Sequence, residues 1–237
     1  LCAVIAEPVQ SSGGVIVPPE GYFPRLRAKC DERGMLLILD EAQTAFGRLG
    51  ADFAFQLVGV EPDLLSLSKT LGAGMPVAAV VTSTEIGRAA KERGFLFYTT
   101  HVSDPLAASI GLTVLDVLER DRLDRNAAER GAVLAEGLRE LAQRHPSIGD
   151  VRGRGMMLGV ELVSDPVSKG PAENLGSAVT ARCLELGLHA NIVQLPGLSA
   201  IIRIAPPLTA TAEELSLGLE ILDQSLSELE PRYLAAS

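Results

Sequence analysis

The sequence predicts an α/β fold, because short apolar runs alternate with helical stretches throughout its first half. Four runs in this half are almost wholly apolar: residues 4–6, 35–39, 64–67 and 77–81. Such runs are typical of strands that are buried on both faces of a parallel or mixed sheet. A helical pattern lies between the first two runs, and Gly34 is placed to end it.

The second half of the chain predicts longer helices and fewer strands. Helices are predicted at residues 105–120, 123–145, 172–186 and 212–229. Strands are predicted at residues 156–163 and 201–204, and a glycine- and arginine-rich turn at residues 149–155. One face of the second helix is apolar at helical spacing: Leu123, Ala127, Leu134, Leu138 and Leu141. We therefore place residues 1–120 in one domain and residues 121–237 in a smaller α+β domain.

The charge balance argues against nucleic acid or a membrane surface as partner. The 237 residues carry a formal net charge of -9 and no cluster of Lys and Arg, whereas such partners are bound by basic patches. No apolar run is long enough to span a membrane.

The cysteines Cys2, Cys30 and Cys183 are far apart and odd in number, which favours a reducing cytoplasm over a disulfide framework.

Two charged residues follow apolar runs at positions where a ligand site is expected. Asp40 follows the run at residues 35–39, and Lys69 comes shortly after the run at residues 64–67. Open α/β sheets bind ligands at the carboxyl ends of their strands. A lone aspartate there is commonly an N-cap or a surface residue, and a lone lysine is commonly solvated. The presence of both favours a shared site over these alternatives.

Both residues belong to longer motifs. Residues 40–48 have the sequence DEAQTAFGR, and residues 62–74 have the sequence PDLLSLSKTLGAG. The D-E-x-Q element, the following Asp63 and the S-K-x-x-x-x-G element together resemble the signature of the class III (subgroup II) pyridoxal-phosphate-dependent aminotransferases. Ala45 stands where that signature usually has glycine, which is a mild departure unless the backbone there needs a positive φ.

The resemblance extends over nearly the whole chain and is strongest to the 2,2-dialkylglycine decarboxylase branch of this family. The stretches that carry it are AEPVQSSGG from residue 6, FLFYTTHVSDPL from residue 95, VRGRG from residue 151 and NIVQLPGLSAIIRIAPPL from residue 191. Asp104-Pro105 stands where ordinary members more often have Asn-Pro. The resemblance implies fold type I of the pyridoxal-phosphate-dependent transferases, in which a mixed, mostly parallel sheet with helices is followed by a smaller α+β domain.

The resemblance also implies roles for residues around a pyridoxal 5′-phosphate cofactor. Lys69 would form a Schiff base with the cofactor, and its released amine would carry protons. Asp40 would keep the pyridine nitrogen protonated, so that the ring acts as an electron sink. Gln43 would form a hydrogen bond near the phenolic oxygen. Thr100 would donate to the cofactor phosphate, which in this family usually belongs to the partner subunit.

Three further residues are implied on the substrate side. Arg203 would bind the substrate carboxylate through its planar, bidentate guanidinium. Ser12 would lie near the substrate side of the cofactor ring, and Glu7 would neutralise Arg203 when no α-carboxylate is bound. The alternative for Arg203 is a structural ion pair, because a guanidinium buried in a strand is rarely left unpaired.

The decarboxylase branch further implies an alkali metal ion, K+ or Na+. Asp104 would supply a carboxylate, and Thr100 and Val102 would supply backbone carbonyl oxygens, since such ions prefer hard oxygen ligands. Asp104 also precedes Pro105 at the start of a predicted helix, so an N-cap is an equal alternative. The two interpretations are compatible.

The implied activity is decarboxylation-dependent transamination of 2,2-dialkylglycines by a homodimer or tetramer, with a 2-oxo acid such as pyruvate as the amino acceptor. The first alternative is an ordinary class III aminotransferase with an α- or ω-amino donor. Family members have roughly half their length upstream of Glu7, including the phosphate-binding helix and the ring that stacks on the cofactor. We therefore expect a chain truncated at its N-terminus, and a non-catalytic fragment is the second alternative.

Overall fold

The computed structural model describes residues 1–195, 197 and 199–234, and the chain divides into two compact units. The first unit comprises Leu1–Pro8 and Pro18–Asp124, and the second comprises Val9–Val17 and Arg125–Ser237. The predicted boundary near residue 121 lies close to the division after Asp124. The assignment of Val9–Val17 to the second unit has no counterpart in the sequence prediction. No helix among the described residues is long and apolar enough to cross a membrane.

The first unit contains four strands, four α-helices and a short 3₁₀-helix among its described residues. In chain order they are β1 (Ala3–Ala6), α1 (Tyr22–Glu32), β2 (Leu36–Asp40), α2 (Ala54–Val58), β3 (Leu64–Leu67), the 3₁₀-helix (Lys69–Gly72), β4 (Ala79–Thr82), α3 (Thr84–Glu92) and α4 (Pro105–Arg120). The predicted positions of β1, β2, β3 and α4 are confirmed. The short helices α2 and α3 were not predicted.

The sheet of the first unit has the strand order β1-β2-β3-β4. Strands β1, β2 and β3 run parallel, and β4 runs antiparallel to β3. This arrangement confirms the predicted mixed sheet. Leu37 and Leu39 of β2 are fully buried. The other core residues of this unit are Phe23, Cys30, Ala45, Phe46, Val60, Leu65, Leu67 and Leu71.

Strand β4 corrects one prediction, because all four of its residues are exposed. Val80 keeps 68% of its surface and Val81 keeps 49%, whereas the apolar run at residues 77–81 predicted burial on both faces. The run correctly indicated a strand. An apolar run predicts a strand but does not tell where that strand lies in the sheet. Strand β4 lies at one end of the strand order.

The second unit contains an antiparallel sheet and three helices among its described residues. The elements are α5 (Leu123–Arg144), which begins at the end of the first unit, β5 (Ile148–Arg154), β6 (Met157–Leu162), α6 (Glu173–Glu185), β7 (Asn191–Leu195), β8 (Ser199–Ile204) and α7 (Ala212–Tyr233). The strand order is β5-β6-β8-β7, and every neighbouring pair is antiparallel. The predicted apolar face of α5 is confirmed, because all five of its residues are buried.

Strand β5 corrects a second prediction, since residues 149–155 were expected to form a turn. Residues Ile148–Arg154 form a strand paired with β6, and the turn is confined to Gly155 and Met156. Gly153 has a φ of 128°, and a Cβ atom on it would lie 2.2 Å from the carbonyl oxygen of Met157. The close approach of β5 and β6 therefore requires glycine at residue 153, and this glycine is one of those that suggested a turn.

Candidate active site

Asp40 ends β2 and is held by the neighbouring strand. Its partner in the parallel register is Ser66 of β3, and the Ser66 hydroxyl donates to Asp40 Oδ1 at 2.8 Å. The backbone N–H of Ala42 donates to the same oxygen at 3.1 Å. Asp40 is half-buried, and the buried leucines of β2 determine where it emerges from the sheet. The carboxylate is therefore oriented by two donors at the carboxyl end of the strand.

Lys69 lies two residues beyond the end of β3, at the start of the 3₁₀-helix. Its φ is 52°, which is the left-handed region that a residue with a Cβ atom rarely adopts. Such a backbone conformation costs on the order of 1–3 kcal/mol and persists only where the surrounding structure enforces it. The side chain is exposed, so its amine is accessible to a ligand.

The residues that follow Lys69 explain how this backbone is held. Leu71 is buried and packs on α4 at Gly111, where a Cβ atom would lie 3.4 Å from the Leu71 Cδ1 atom. Gly72 is also buried, and a Cβ atom on it would lie 3.2 Å from the backbone nitrogen of Val77. Glycines at both positions thus let the short helix pack closely beside the lysine.

The first unit therefore places Asp40 and Lys69 at the same edge of the sheet. Strands β2 and β3 are adjacent and parallel, so their carboxyl ends lie side by side. Ser66, which faces Asp40, precedes Lys69 by three residues. An oriented carboxylate and an accessible amine at neighbouring strand ends are the two groups needed to hold a cofactor with a carbonyl group and a basic ring nitrogen.

Glu41, the second residue of the D-E-x-Q element, has a structural role. It is fully buried and accepts hydrogen bonds from the backbone N–H groups of Ala54 at 2.7 Å and Phe55 at 2.8 Å. These are the first two residues of α2, whose N–H groups have no partner within the helix. The Thr44 hydroxyl donates to it at 3.4 Å. Glu41 thereby fixes the segment after Asp40 to α2.

Glu41→Gln is expected to lower the free energy of unfolding by about 1–3 kcal/mol, because the amide nitrogen leaves a buried N–H unpaired. Burial raises the pKa of Glu41 above its ordinary value of 4.5. The stability that Glu41 contributes is therefore fully present below about pH 4.5 and is lost as the pH rises through the raised pKa. Denaturant unfolding at a series of pH values should show the largest deficit in acid.

The matched control for this prediction is Glu92→Gln, since Glu92 is exposed at the end of α3. This change is expected to alter the free energy of unfolding by less than about 0.5 kcal/mol. Equal stability of the two variants at every pH would contradict the structural role of Glu41.

Asp63, the aspartate of the second motif, is structural as well. Its Oδ2 atom accepts from the backbone N–H of Leu37 at 2.6 Å and from Arg27 Nη1 at 2.7 Å. Burial acts to raise the pKa of Asp63, but these hydrogen bonds and the Arg27 charge outweigh burial and lower it. Asp63 therefore joins the beginnings of β2 and β3, at the opposite ends of these strands from Asp40 and Lys69.

The remaining predicted residues of the first unit lie in turns. Gln43 is half-buried in the turn after β2, and Thr100 is exposed in the turn before α4. Val102 is exposed in the same turn. Asp104 is the N-cap of α4, since its Oδ1 atom accepts from the backbone N–H of Leu106 at 3.1 Å with Pro105 following it. The N-cap interpretation of Asp104 is confirmed, and the metal interpretation stays a prediction.

In the second unit, Arg203 lies on β8 and is held by a serine. Its Nη1 atom donates to the hydroxyl oxygen of Ser11 at 3.0 Å. Ser11 is fully buried, whereas its neighbour Ser12 is exposed. The contact of Ser11 with Arg203 was not predicted, because adjacent serines in a turn carry no signal that tells which one faces a strand 192 residues away. The role of Ser12 stays a prediction. Glu7 belongs to the first unit, and its pairing with Arg203 stays a prediction.

The chain matches a known protein family over most of its length. The family model described as Aminotransferase class-III matches residues 1–226 of the chain. This chain belongs to the class III aminotransferase family. This match confirms the predicted class III family, and the transaminase structures that the chain resembles confirm the predicted fold class. The decarboxylase branch stays a prediction.

Several known proteins are similar over nearly the whole chain. An uncharacterized aminotransferase from Schizosaccharomyces pombe is 49% identical, with 96% of this chain and 51% of that protein covered. A leucine/methionine racemase from Thermococcus litoralis is 37% identical, with 97% and 51% covered. An amine transaminase from an uncultivated Pseudomonas species, solved in its PLP-bound form, has a TM-score of 0.89 at 37% identity, with 96% and 52% covered. The chain thus spans about half the length of these relatives.

Class III enzymes depend on pyridoxal phosphate, and the residues of the first unit fit this group. The Lys69 amine is accessible, its backbone is held in a rare conformation, and the Asp40 carboxylate is oriented nearby on the next strand. Ala45 has no positive φ, so its replacement of the usual class III glycine is the mild departure expected. The left-handed φ falls instead on Phe46, at 60°, and Gly47, at 82°.

Proposed function

We propose that this chain supplies the lysine-bearing part of a pyridoxal-phosphate-dependent aminotransferase site. The observation that carries the proposal is the placement of Lys69 and Asp40 at the carboxyl ends of adjacent parallel strands, with Lys69 in a left-handed backbone conformation. When bound, pyridoxal phosphate supplies an electron sink for the bond that breaks at the substrate α-carbon.

Lys69 has two tasks in this proposal. Its Nζ atom would hold the cofactor covalently. Its amine, when not bound to the cofactor, would give or take a proton at the reacting carbon, which is general acid–base catalysis. The exposed side chain can perform both tasks, because it extends from a backbone that the packing of Leu71 and Gly72 keeps fixed.

Asp40 would pair with the protonated ring nitrogen of the cofactor. Because Ser66 and Ala42 donate to its Oδ1 atom, the carboxylate is oriented before the cofactor binds, and little reorganisation is needed. Gln43 forms a hydrogen bond near the phenolic oxygen of the cofactor. Thr100, exposed in its turn, donates to a cofactor phosphate.

Arg203 binds the substrate carboxylate. Its guanidinium can form two parallel hydrogen bonds with a carboxylate, and the Ser11 hydroxyl restricts its rotation. Ser12 is exposed in the adjoining turn and lies on the substrate side. The homodimer or tetramer and the cytoplasmic location also stay part of this proposal, as predictions from the resemblance.

The finer proposal is decarboxylation-dependent transamination of 2,2-dialkylglycines, with a 2-oxo acid such as pyruvate as the amino acceptor. Family membership alone does not specify which bond breaks, since relatives include both an aminotransferase and a racemase. The Asp104-Pro105 pair and the stretches around Ser12 and Arg203 support the decarboxylase branch. An ordinary class III aminotransferase, which removes a proton in place of CO2, remains the alternative.

The test uses 2-methylalanine, whose α-carbon carries no hydrogen and therefore permits no proton removal. With pyruvate as acceptor, the intact protein to which this chain belongs is expected to form CO2, acetone and alanine in equal amounts. Lys69→Ala should abolish all three products, and Lys91→Ala, an exposed change on α3, should not. Transamination of ordinary amino acids with neither CO2 nor acetone would contradict the decarboxylase branch and leave the aminotransferase proposal standing.

The alkali-metal site is a separate part of the proposal. Asp104 caps α4 with Oδ1, and its Oδ2 atom, which lies 3.6 Å from His101 Nδ1, would be offered to an ion together with the backbone carbonyls of Thr100 and Val102. If so, the rate of the reaction should rise with K+ or Na+ and stay constant with tetramethylammonium at equal ionic strength. An identical response to all three cations would contradict the site.

A further inference from the structure

The segment Val9–Val17 forms a closed turn that belongs to the second unit. Gln10 and Ile16 exchange two backbone hydrogen bonds, at 3.0 and 2.9 Å. Inside the turn, the carbonyl oxygen of Ser11 accepts from the backbone N–H groups of Gly14 at 3.1 Å and Val15 at 3.2 Å. Ser11 and Val15 are both fully buried. The turn is therefore an ordered part of this unit.

The turn lies over a row of three residues on adjacent strands. Gly159 of β6 pairs with Arg152 of β5 on one side and with Arg203 of β8 on the other. A Cβ atom on Gly159 would lie 3.0 Å from the Cβ atom of Val15. Because residues opposite one another on adjacent strands share a face, Val15 packs on the glycine between the two arginines.

Each arginine donates a hydrogen bond to the turn. Arg152 Nε donates to the carbonyl oxygen of Gly14 at 2.9 Å, and Arg203 Nη1 donates to the Ser11 hydroxyl at 3.0 Å. Arg152 is itself held by two carboxylates, since its Nη1 atom donates to Asp150 Oδ2 at 2.8 Å and to Glu161 Oε2. The Arg152 guanidinium therefore links the sheet, through Nη1, to the turn, through Nε.

We propose that Arg152 is a positioning residue for Arg203. Arg152 holds the turn formed by Val9–Val17 against Gly159. This turn carries the Ser11 hydroxyl, which orients the Arg203 guanidinium. The inference rests on the proposed function in one respect, namely that Arg203 binds the substrate carboxylate. A bidentate contact depends on the plane of the guanidinium, so loss of Arg152 weakens carboxylate binding without touching the substrate.

The test compares Arg152→Gln with Arg182→Gln in the whole chain. Arg182 is the matched control, because it also pairs with two carboxylates, Glu185 and Glu228, and joins α6 to α7. In Arg152→Gln the amides of Gly14 and Val15 should exchange with solvent about tenfold faster or more, as expected for loss of a charge-assisted hydrogen bond. The NMR signal of the Arg203 Nε–H group should shift, and Arg152→Lys should restore it only in part.

Ser11→Ala should shift the same Arg203 signal, and Arg182→Gln should leave it and the turn amides unchanged. If Arg152→Gln fails to fold, Gly159→Ala replaces it, since the added methyl group presses on Val15 and displaces the turn from the other side. A folded Arg152 or Gly159 variant with wild-type exchange and an unmoved Arg203 signal would overturn the inference, as would an equal shift in Arg182→Gln.

Acetate titration separates this inference from the proposed function. In the wild-type chain, acetate should shift the Arg203 Nε–H signal. Arg152→Gln should raise the dissociation constant of acetate by about tenfold, the same factor as that expected for the exchange rates of the turn amides. If acetate leaves the wild-type signal unmoved, the carboxylate role of Arg203 fails. The positioning of Arg203 by Arg152 is then still decided by the exchange rates and the signal of the ligand-free chain.

Discussion

Lys69→Ala is expected to lower the rate of amino transfer by about 10⁴-fold or more, since a positioned acid–base group alone contributes up to that factor. In the proposed function, the change also removes the amine that would hold the cofactor covalently. The fold should persist, because the lysine side chain is exposed and alanine can keep the same backbone conformation. Steady-state rates and the visible absorption of the cofactor, measured on the same preparation, test this expectation.

Lys91→Ala is the control for this change, because Lys91 is an exposed lysine on α3. It should retain the wild-type rate and the visible absorption band. A Lys69→Ala protein that is folded and turns over at the wild-type rate would contradict the assignment of Lys69, whatever the behaviour of the other lysines.

Asp40→Asn is expected to lower the rate by about 10²–10³-fold, which is typical for loss of one preorganised electrostatic contact. Asparagine keeps an oxygen that can accept from the Ser66 hydroxyl and the Ala42 N–H, so the strand end should stay in place. In the proposed function, the lost property is the negative charge that would keep the cofactor nitrogen protonated. Rates under saturating cofactor isolate this effect from weaker cofactor binding.

Asp116→Asn provides the matched control, since Asp116 is exposed on α4. It should alter neither the rate nor the free energy of unfolding. A fully active Asp40→Asn protein would show that the ring nitrogen needs no carboxylate from β2, and the electrostatic half of the proposal would fail.

The positions of Asp40 and Lys69 were predictable because strand ends follow from local sequence. An apolar run that stops at a charged residue marks the point where a buried strand leaves the sheet, and the parallel order of β2 and β3 then brings both charges to one edge. The left-handed backbone of Lys69 was not predictable, since it depends on the packing of Leu71 and Gly72 against distant residues.

Other features escaped prediction because they depend on partners far away in sequence. Glu41 is a carboxylate next to Asp40 in sequence, as a second site residue would be. Its oxygens, however, accept hydrogen bonds from the backbone N–H groups of Ala54 and Phe55 in α2. The row of Arg152, Gly159 and Arg203 exists only through the register of three strands. Glycine and arginine in β5 suggested a turn for the same reason, because their local preference differs from what the sheet imposes.

The most direct test of the central claim is the site of cofactor attachment among the four lysines of the chain. After incubation with pyridoxal phosphate and reduction with borohydride, peptide mass mapping reports which lysine carries the pyridoxyl group. We expect labelling of Lys69 well above that of the other three lysines, which are Lys29, Lys91 and Lys169. Equal labelling of all four lysines in the folded chain, or label on another lysine with none on Lys69, would contradict it.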